Sequence, residues 1–345
     1  MKLLIITQKV DRNDPILGFF HRWIEEFAKH CEKVTVVCLS EGEHNLPKNV
    51  KVLSLGKERG VSRLGYMLNF YHLIWRERKN YNTIFVHMNQ EYILLGGLLW
   101  KLLGKKVTMW RNHYAGSLLT RIAMALSDKI FCTSKYSFTA RSKKTILMPV
   151  GIDTERFLPS EEKCSPNSIL SIGRISPSKN LELVVTALGN LKKDNIGFKA
   201  NIYGDVSEED ASYFKQLKDL AVLLNVGNDL TFHPGVPNLG TPAIYRSHEI
   251  FVNTSPSGMY DKTIFEAMAS GTMIVTSNKN LSGIIGDTFM FKEGDAQGLS
   301  KTLAAVFGLS VAQKALQRNL TRNLTVKEHN LKILVVRLYE EMTAH

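Results

Sequence analysis

Two basic residues follow a buried strand and a glycine turn in the segment 169–188, ILSIGRISPSKNLELVVTAL. Arg174 comes directly after Gly173, and Lys179 stands next to Ser178, where the pattern predicts that a helix begins. The start of a helix offers backbone N–H groups and the positive end of a dipole, so it attracts anions. With two cations beside it, this site suits a diphosphate group better than a neutral ligand. The alternative is a solvated arginine and lysine at a loop and a helix start.

A second polar segment, SGMYDKTIFEAMAS at 257–270, occurs later in the same half of the chain. Its carboxylate, Glu266, is able to accept two hydrogen bonds from a vicinal diol. The alternative is a capping box that runs from Thr263 to Glu266, in which the glutamate satisfies a backbone N–H at a helix start. The two roles are compatible, and both remain open from the sequence.

Together, these two segments resemble the donor-binding half of the family four glycosyltransferases, retaining enzymes of the GT-B fold that use nucleotide sugars. The resemblance implies that Arg174 and Lys179 bind the donor diphosphate. Cations already in place there would stabilise the negative charge that grows on the leaving oxygen. The resemblance also implies that Glu266 accepts hydrogen bonds from the ribose hydroxyls. The donor-binding residues expected are Gly18, Gly173, Arg174, Lys179, Gly204, Asp205, Gly258, Asp261, Lys262, Thr263, Ile264 and Glu266.

This chain departs from the family pattern at one position. The family has an acidic residue, seven others and then the glutamate, and the first of these positions is Gly258 here. In the family that acid contacts hydroxyls of the donor sugar. We hypothesise that Asp261 takes over part of the sugar recognition and that Lys262 adds a diphosphate contact. The alternative is an ordinary exposed Asp-Lys pair at a helix entry.

The first half of the chain matches the family more loosely. Gly18 lies in a loop after the first strand, where family members hold a glycine over the donor diphosphate and the acceptor. His113 follows an apolar strand and matches a family histidine that faces the donor sugar, so it is expected to be catalytic together with Arg174 and Lys179. A structural histidine is the alternative. The acceptor-side candidates are Phe19, His87, Arg111 and Asn112.

Short apolar runs alternate with helical patterns along both halves, which indicates buried parallel strands with helices on both faces of a sheet. The expected class is α/β with the GT-B fold: two Rossmann-like, doubly wound parallel-sheet domains that face a cleft. Residues Pro149–Pro166 are interpreted as the linker, and Val311–Met342 as one long helical stretch. The resemblance implies that the C-terminal helix crosses back to the first domain. The expected domains are 1–158 on the acceptor side, 159–325 for the nucleotide sugar, and 326–345 as the returning helix.

The basic excess is confined to one half of the chain. Residues 1–160 hold 25 Lys and Arg against 13 Asp and Glu, whereas residues 161–345 hold 19 of each. This asymmetry predicts an anionic partner for the first half, either a membrane surface, an acidic acceptor or nucleic acid. General solubility is the alternative. The four cysteines lack metal-site spacing and no apolar run is long enough to span a bilayer, which predicts a cytoplasmic protein.

One segment of the first half combines apolar side chains with basic ends. In residues 59–79, RGVSRLGYMLNFYHLIWRERK, arginines and a lysine flank Tyr66, Phe70, Tyr71, Ile74 and Trp75. Such a helix suits an anionic membrane surface, which would place the protein peripherally on the inner face of the cell membrane. The alternative is a core helix with solvated ends.

The function expected is transfer, with retention, of a sugar from a nucleotide-sugar donor to a glycan or lipid-linked acceptor in polysaccharide or glycolipid biosynthesis. The sequence has no Asp-x-Asp pair, so neither a metal nor another cofactor is expected. Two alternatives share the fold: a nucleotide-sugar epimerase or phosphorylase, and a non-catalytic transferase-like subunit that binds nucleotide or membrane. Nucleic-acid binding ranks last, because no recognised reader motif is present.

Overall fold

The computed structural model describes residues 1–160, 164–258 and 260–344. Within these ranges the chain forms two compact units, each built on one parallel sheet. The first unit comprises residues 1–151, 237–239 and the chain from Leu331 onward, and the second comprises residues 152–236 and 240–330. The expectation of two Rossmann-like α/β domains is therefore confirmed.

The first unit contains a seven-stranded parallel sheet. Its order is β3-β2-β1-β4-β5-β6-β7. The strands are β1 (Lys2–Val10), β2 (Lys33–Glu41), β3 (Val50–Ser54), β4 (Thr83–His87), β5 (Lys106–Trp110), β6 (Lys129–Cys132) and β7 (Thr145–Leu147). The helices between them are α1 (Phe19–His30), α2 (Arg63–Arg76), α3 (Glu91–Leu102) and α4 (Leu118–Leu126).

Different helices cover the two faces of this sheet. On one face, α1 packs together with the last helix, α11 (Leu331–Thr343), and buries Phe20, Trp23 and Leu334. On the other face, α2, α3 and α4 bury a separate core that includes Phe70 and Trp100. The C-terminal helix is thus part of the core of the first unit, as the expected return requires.

The second unit contains a five-stranded parallel sheet with the order β10-β9-β8-β11-β12. The strands are β8 (Ser165–Ile172), β9 (Lys199–Tyr203), β10 (Leu230–His233), β11 (His248–Asn253) and β12 (Met273–Thr276). The helices are α5 (Leu181–Lys193), α6 (Ala211–Leu223), α7 (Thr241–Ser247), α8 (Lys262–Ala269), α9 (Ala296–Phe307) and α10 (Val311–Glu328). The carboxyl ends of the strands meet at one edge, where ligands bind in open α/β sheets.

The structure corrects several element boundaries. Strand β3 and helix α7 were not expected from the sequence, because one is a short edge strand and the other begins with a proline at its second position. The long helical stretch Val311–Met342 is two helices, interrupted at His329 and Asn330. The sequence pattern also predicts a helix over residues 136–141, but residues 138–141 form a single 3₁₀ turn.

The segment interpreted as a linker is partly built into the second unit. Phe157 is buried there, with its ring 6.0 Å from the ring of Tyr245. The amide of Ile152 donates to the carbonyl of His329 at 2.8 Å. Residues 161–163 of the interpreted linker lie outside the described residues.

None of the helices in the described ranges is both long and apolar enough to cross a bilayer. The same ranges contain no group of three or more His, Cys, Asp and Glu side chains that is placed to hold a metal ion.

Candidate functional site

The carboxyl end of β8 opens onto a small recess in the second unit. Strands β8, β9 and β11 supply its walls. The residues that line it are Ser171, Ile172, Gly173, Arg174, Lys179, Leu181, Ile202, Asn253, Thr254 and Ser255. Both basic residues singled out from the sequence therefore border one recess at the ligand-binding edge of the sheet.

Two glycines allow the ends of β8 and β9 to approach each other closely at this edge. Gly173 has a φ of +150°, and its amide donates to the carbonyl of Tyr203 at 3.0 Å. A Cβ atom on Gly204 would lie only 1.9 Å from the carbonyl oxygen of Gly173. The ends of β8 and β9 thus approach so closely that position 204 accommodates no side chain. This close approach holds Arg174 at the mouth of the recess.

Lys179 is held by an acidic partner from a distant part of the sequence. Its ammonium forms an ion pair with Asp261 and donates to the hydroxyl oxygen of Ser255 at 3.3 Å. Ser255 in turn donates to Asp261 at 3.0 Å, and the side-chain amide of Asn253 donates to the same carboxylate oxygen at 3.3 Å. Asp261 therefore balances the positive charge that Lys179 brings to the recess, and the sequence alone did not indicate this pairing.

Asp261 also begins α8. It is the N-cap residue, and its other carboxylate oxygen accepts from the hydroxyl of Thr263 at 2.9 Å. Burial acts to raise the pKa of Asp261, but the Lys179 ammonium and the hydrogen bonds outweigh it and hold the pKa at about 2. Its side chain is 11% exposed. The interpretation of Asp261 and Lys262 as an ordinary exposed pair is therefore wrong.

The helix after Lys179 begins later than expected. Pro177–Lys179 form a 3₁₀ turn, Asn180 adopts a left-handed conformation with a φ of +49°, and α5 starts only at Leu181. Asparagine tolerates this conformation better than most residues, which lets the chain change direction there. The amide of Leu181 already donates to the hydroxyl of Tyr213 at 2.9 Å. Lys179 therefore lies in the turn before the helix, and one N–H group of the helix start is engaged.

Arg174 differs from Lys179 in having no partner in the part of the chain that the structure describes. It is exposed, and its guanidinium makes no hydrogen bond or ion pair within residues 1–160, 164–258 and 260–344. A guanidinium presents several donors in a planar arrangement that suits phosphate oxygens. Arg174 is thus the cation at the recess that is ready to bind an anion without breaking an existing contact.

Glu266 is buried on α8 and is bound from inside the unit. The hydroxyl of Tyr245 donates to its carboxylate at 3.1 Å. Burial first, and then this nearby carboxylate, raise the pKa of Tyr245 well above its usual value, so the tyrosine stays a donor. Because Asp261 is the N-cap of α8, the capping box expected from Thr263 to Glu266 does not form. Of the two roles considered for Glu266, helix capping is therefore excluded and ligand binding remains.

Lys262 occupies the first position of α8. Burial lowers the pKa of its ammonium to about 8, and the carboxylates of Glu266 and Asp153 act in the opposite direction. Its neighbours Thr263 and Ile264 are half-buried and buried respectively, and Gly258 is buried. Lys262 thus combines a reduced affinity for its proton with a position between the N-cap residue Asp261 and Glu266 of the same helix.

The expected pocket edge after β9 is a turn held by a carboxylate. Asp205 accepts from the amide of Gly235 at 2.8 Å, and a Cβ atom on Gly235 would lie 2.4 Å from that carboxylate. The ring of His233 stacks on Tyr203 at 4.2 Å and contacts the side chain of Asn201 at 2.7 Å. Asp205 therefore joins two strand ends, which is a structural role at the edge of the sheet.

In the first unit, Gly18, Phe19 and His87 lie around the start of α1. A Cβ atom on Gly18 would lie 2.5 Å from the carbonyl oxygen of Asp14, so this glycine is required by a close backbone approach. His87 is buried, contacts the hydroxyl of Thr7 at 3.2 Å and stacks on Phe20 at 3.9 Å. The structure thus places His87 within the packing of α1 against the sheet.

The other first-unit candidates follow β5. The Nδ1 atom of His113 accepts from the amide of Ala115 at 3.0 Å, and the His113 ring stacks on Tyr114 at 4.6 Å. Asn112 accepts from the amide of Thr133 at 2.7 Å. Arg111 donates to the carbonyl of Ala115 at 2.9 Å, while its Nη1 atom is buried and has no hydrogen-bond partner among the described residues. Asn112 therefore fixes the loop, whereas Arg111 has a donor to spare.

The sequence did not single out several residues that the structure brings to these sites. Asn253 ends β11 and Ser255 follows it, and both bind Asp261, whereas Tyr245 binds Glu266. Their position at the carboxyl end of a strand is a signal that was available for Asn253 and Ser255. Met88, directly after β4, has a φ of +70°, which is unusual for a residue other than glycine or asparagine. No pattern in the sequence indicates that strain.

The unit that contains this recess matches a known protein family. Residues 153–322 match the family described as Glycosyl transferases group 1. The chain carries a group 1 glycosyltransferase domain. Recess residues Arg174 and Lys179, together with Asp261 and Glu266, all fall inside the matched range.

Two curated relatives match part of the chain. Alpha-monoglucosyldiacylglycerol synthase of Streptococcus pneumoniae is 28% identical over 121 residues, which are 35% of this chain and 26% of the relative. Mannosylfructose-phosphate synthase of Agrobacterium fabrum is 25% identical over 150 residues, which are 40% of this chain and 33% of the relative. The chain thus matches about a quarter to a third of the length of these relatives.

A solved structure matches the whole chain. Anabaena HepE, in complex with UDP and glucose, superposes with a TM-score of 0.81 at 16% sequence identity, covering 100% of both chains. This similarity shows the fold, which is GT-B with two Rossmann-like domains.

Proposed function

We propose that the protein is a retaining glycosyltransferase of family four that transfers a sugar from a nucleotide-sugar donor to a glycan or lipid-linked acceptor. The observation that carries the proposal is the placement of Arg174 and Lys179 at one recess inside a group 1 glycosyltransferase domain. Two cations at the carboxyl edge of a parallel sheet suit the diphosphate of such a donor. Support for UDP as the nucleotide comes from the HepE structure, which contains UDP and glucose.

In the proposed reaction, negative charge grows on the diphosphate oxygen as its bond to the sugar breaks. Arg174 is unpaired within the described ranges and receives the first phosphate contact. Lys179 leaves Asp261 and binds the second phosphate. Arg174 and Lys179, rather than a bound metal, then neutralise the charge of the leaving group. His113 is proposed to face the donor sugar. The residues proposed to bind the rest of the donor include Gly18, Glu266 and Lys262.

This exchange gives Asp261 a second role. Once Lys179 turns to the diphosphate, one carboxylate oxygen of Asp261 keeps Thr263. The other oxygen keeps Ser255 and Asn253 but loses its cation, and a hydroxyl of the donor sugar takes the place of that cation as a donor. From this position, Asp261 is proposed to make the sugar contact that the family acid makes and that Gly258 lacks the side chain to make. The proposal therefore links loss of the family acid to an ion pair found in this chain.

The acceptor is proposed to bind the first unit, with Phe19, His87, Arg111 and Asn112 as the candidate residues. Arg111 has a buried Nη1 donor that no residue in the described part of the chain accepts from, which suits an anionic or hydroxyl-rich acceptor. A lipid-linked acceptor is supported by the name of one relative, which is a synthase of a monoglucosyldiacylglycerol, and by the basic excess of residues 1–160. We place the protein at the inner face of the cell membrane, in polysaccharide or glycolipid biosynthesis.

The test is a donor panel. Purified protein is incubated with UDP, GDP and ADP sugars, nucleoside diphosphate release is measured, and thermal shifts with UDP, GDP and ADP report binding. We expect one nucleotide to stabilise the protein and its sugar to be consumed, with retention at the anomeric carbon seen by NMR. A Lys179→Met variant is the control. Absence of any nucleotide-induced shift would contradict the proposal, and release of an epimerised nucleotide sugar would favour an epimerase instead.

A further inference from the structure

Helix α2 carries a stripe of large apolar side chains that face the solvent. The stripe, called the α2 stripe below, consists of Leu64, Met67, Leu68, Tyr71 and Trp75, which are between 39% and 66% exposed. Their spacing places all five on one side of the helix. The opposite side carries Phe70 and Leu73, which are buried. Helix α2 therefore buries one apolar face in the core and leaves a second apolar face exposed to solvent.

The apolar surface continues onto the neighbouring helices. The hydroxyl of Tyr71 donates to the carbonyl of Leu95 at 3.0 Å, which joins α2 to α3. On α3, Leu98 and Leu102 are 66% and 87% exposed. Leu118 of α4 is also exposed, and α4 packs against α3 at Gly97. Three adjacent helices thus present exposed leucines on the outer side of one layer, and patches of this kind mark interaction sites.

The charges around this surface are almost all positive. Helices α2, α3 and α4 contain four basic residues and a single acidic one, Glu91. Residues 51–150 as a whole hold 17 Lys and Arg against 4 Asp and Glu. Glu77, at the end of α2, is buried and paired with Lys51 at 2.8 Å and with Arg76 at 3.3 Å, and Lys101 of α3 is paired with Asp128. The surface therefore combines exposed apolar side chains with a net positive charge.

Trp75 has the surroundings of an interfacial residue. Its ring is half exposed, and the guanidinium of Arg78 lies 4.3 Å from the ring centroid. An indole beside a cation fits the boundary between acyl chains and anionic headgroups, where both groups find a partner. The arginines at 63 and 76 flank the rest of the stripe.

We propose that the α2 stripe, extended by the exposed leucines of α3 and α4, docks the protein on an anionic lipid bilayer. An apolar stripe bordered by cations is complementary to acyl chains beneath negatively charged headgroups. The inference deepens the proposed function, because a lipid-linked acceptor is presented at such a surface. It rests on residues separate from the donor recess, so each proposal is tested independently.

The tryptophans provide a direct readout. Trp23, Trp100 and Trp110 are at most 4% exposed, whereas Trp75 is 50% exposed, so a change in tryptophan emission on contact with lipid reports Trp75. We expect vesicles containing phosphatidylglycerol to shift the emission to the blue and to bind at least tenfold more tightly than pure phosphatidylcholine vesicles. Salt at 0.5 M should weaken the binding, since it screens charge. In Trp75→Phe the shift should disappear while co-sedimentation persists.

A matched pair of double variants locates the surface. Leu64→Glu with Leu68→Glu changes two α2 residues that are 66% and 63% exposed. The control, Leu316→Glu with Leu320→Glu, has the same spacing on α10 at 60% and 56% exposure. We expect the α2 pair to weaken vesicle binding at least tenfold and the α10 pair to change it less than twofold. Thermal shift with nucleoside diphosphates should be equal in both, which separates a membrane defect from a donor-site defect.

Three results would overturn the proposal. The first is equal binding, or equal lack of binding, to neutral and anionic vesicles. The second is equal weakening by the α2 and α10 pairs. The third is a wild-type dimer in analytical ultracentrifugation that the α2 pair dissociates, because the stripe would then be covered by a second copy of the chain.

Discussion

The two units share a parallel-sheet architecture but treat charge in different ways. Residues 1–160 carry an excess of 12 basic over acidic residues, and their outer helices expose leucines. Residues 161–345 are balanced, and several of their charges are paired in the interior, such as Lys179 with Asp261 and Lys314 with Glu249 at 2.9 Å. One scaffold thus supports an outward-facing surface in one unit and a charged recess in the other.

The carboxyl edges of the two sheets differ in the same sense. In the second unit, Gly173 and Gly204 leave the ends of β8 and β9 without side chains, and a recess results. In the first unit, His87 at the end of β4 stacks on Phe20 of α1, which fills the edge. Small residues at the edge create room for a ligand, whereas aromatic residues there stabilise the packing.

The largest effect is expected when the charge at the recess is removed. Lys179→Met should lower the turnover number about 100-fold, because a cation placed for the leaving diphosphate acts mainly in the transition state. Steady-state kinetics with the donor identified by the panel measures it. Lys193→Met, an exposed lysine of α5, is the control and should leave turnover unchanged. Equal losses in both variants would show that the recess lysine has no special role.

The next effect tests the glycine edge. Gly204→Ala should destabilise the protein by about 2–3 kcal/mol, because its Cβ would collide with the carbonyl of Gly173 and force the strand ends apart. Denaturant unfolding measures the loss, and nucleotide affinity should fall with it. The matched control is Gly197→Ala, where a Cβ meets nothing within 4 Å. Equal stability of the two variants would mean that the edge adapts.

A smaller effect is expected at the proposed ribose contact. Glu266→Gln should weaken UDP binding about tenfold, the amount typical for one hydrogen bond to a charged group. It should also remove the preference for UDP over 2′-deoxy-UDP, as measured by calorimetry. Glu249→Gln changes another buried carboxylate of the same unit and should keep that preference. Retention of the preference in Glu266→Gln would exclude the ribose contact.

The pH dependence of donor binding addresses Lys262. Its pKa is lowered to about 8, so the ammonium is protonated below that pH and neutral above it. If it contacts the diphosphate, nucleotide affinity should fall about threefold as the pH rises from 7 to 9, since binding favours the protonated form. Lys262→Arg should bind equally at both pH values. An equal decline in nucleotide affinity in the wild-type protein and in Lys262→Arg would show that another group causes the pH dependence.

The smallest effect distinguishes two roles of Asp261. Asp261→Asn keeps an N-cap for α8 but removes the ion pair with Lys179. Affinity for UDP alone should rise about twofold, because Lys179 no longer exchanges partners, whereas affinity for the UDP sugar should fall. Calorimetry with both ligands measures the difference. A parallel rise for both ligands would leave Asp261 without a role in sugar recognition.

Much of the fold was predictable because the pattern is local. The strand Thr83–His87 and the strand Lys199–Tyr203 have the bounds that their apolar runs indicate. Edge strand β3 was missed because its side chains are half exposed and its apolar run is short. The break at His329 and Asn330 was missed because helical periodicity continues on both sides of it.

The candidate site was predictable in part. Placement of Arg174 and Lys179 at the end of β8 followed from a strand and a glycine turn, features that lie within ten residues of them. The bond from Tyr245 to Glu266 was not predictable, because it joins residues from two different helices. A sequence window contains no information on which distant helix lies alongside.

The amino-acid sequence by itself determined that parallel sheets form, that basic charge gathers in the first half, and that two cations follow a glycine turn. These features depend on neighbours in the chain, where spacing and side-chain type act directly. Only the tertiary structure decided that Asp261 neutralises Lys179 and that α2 turns one of its apolar faces to solvent. Both depend on contacts between residues far apart in sequence, and helix α2 is apolar on two sides, so only packing selects which side is buried.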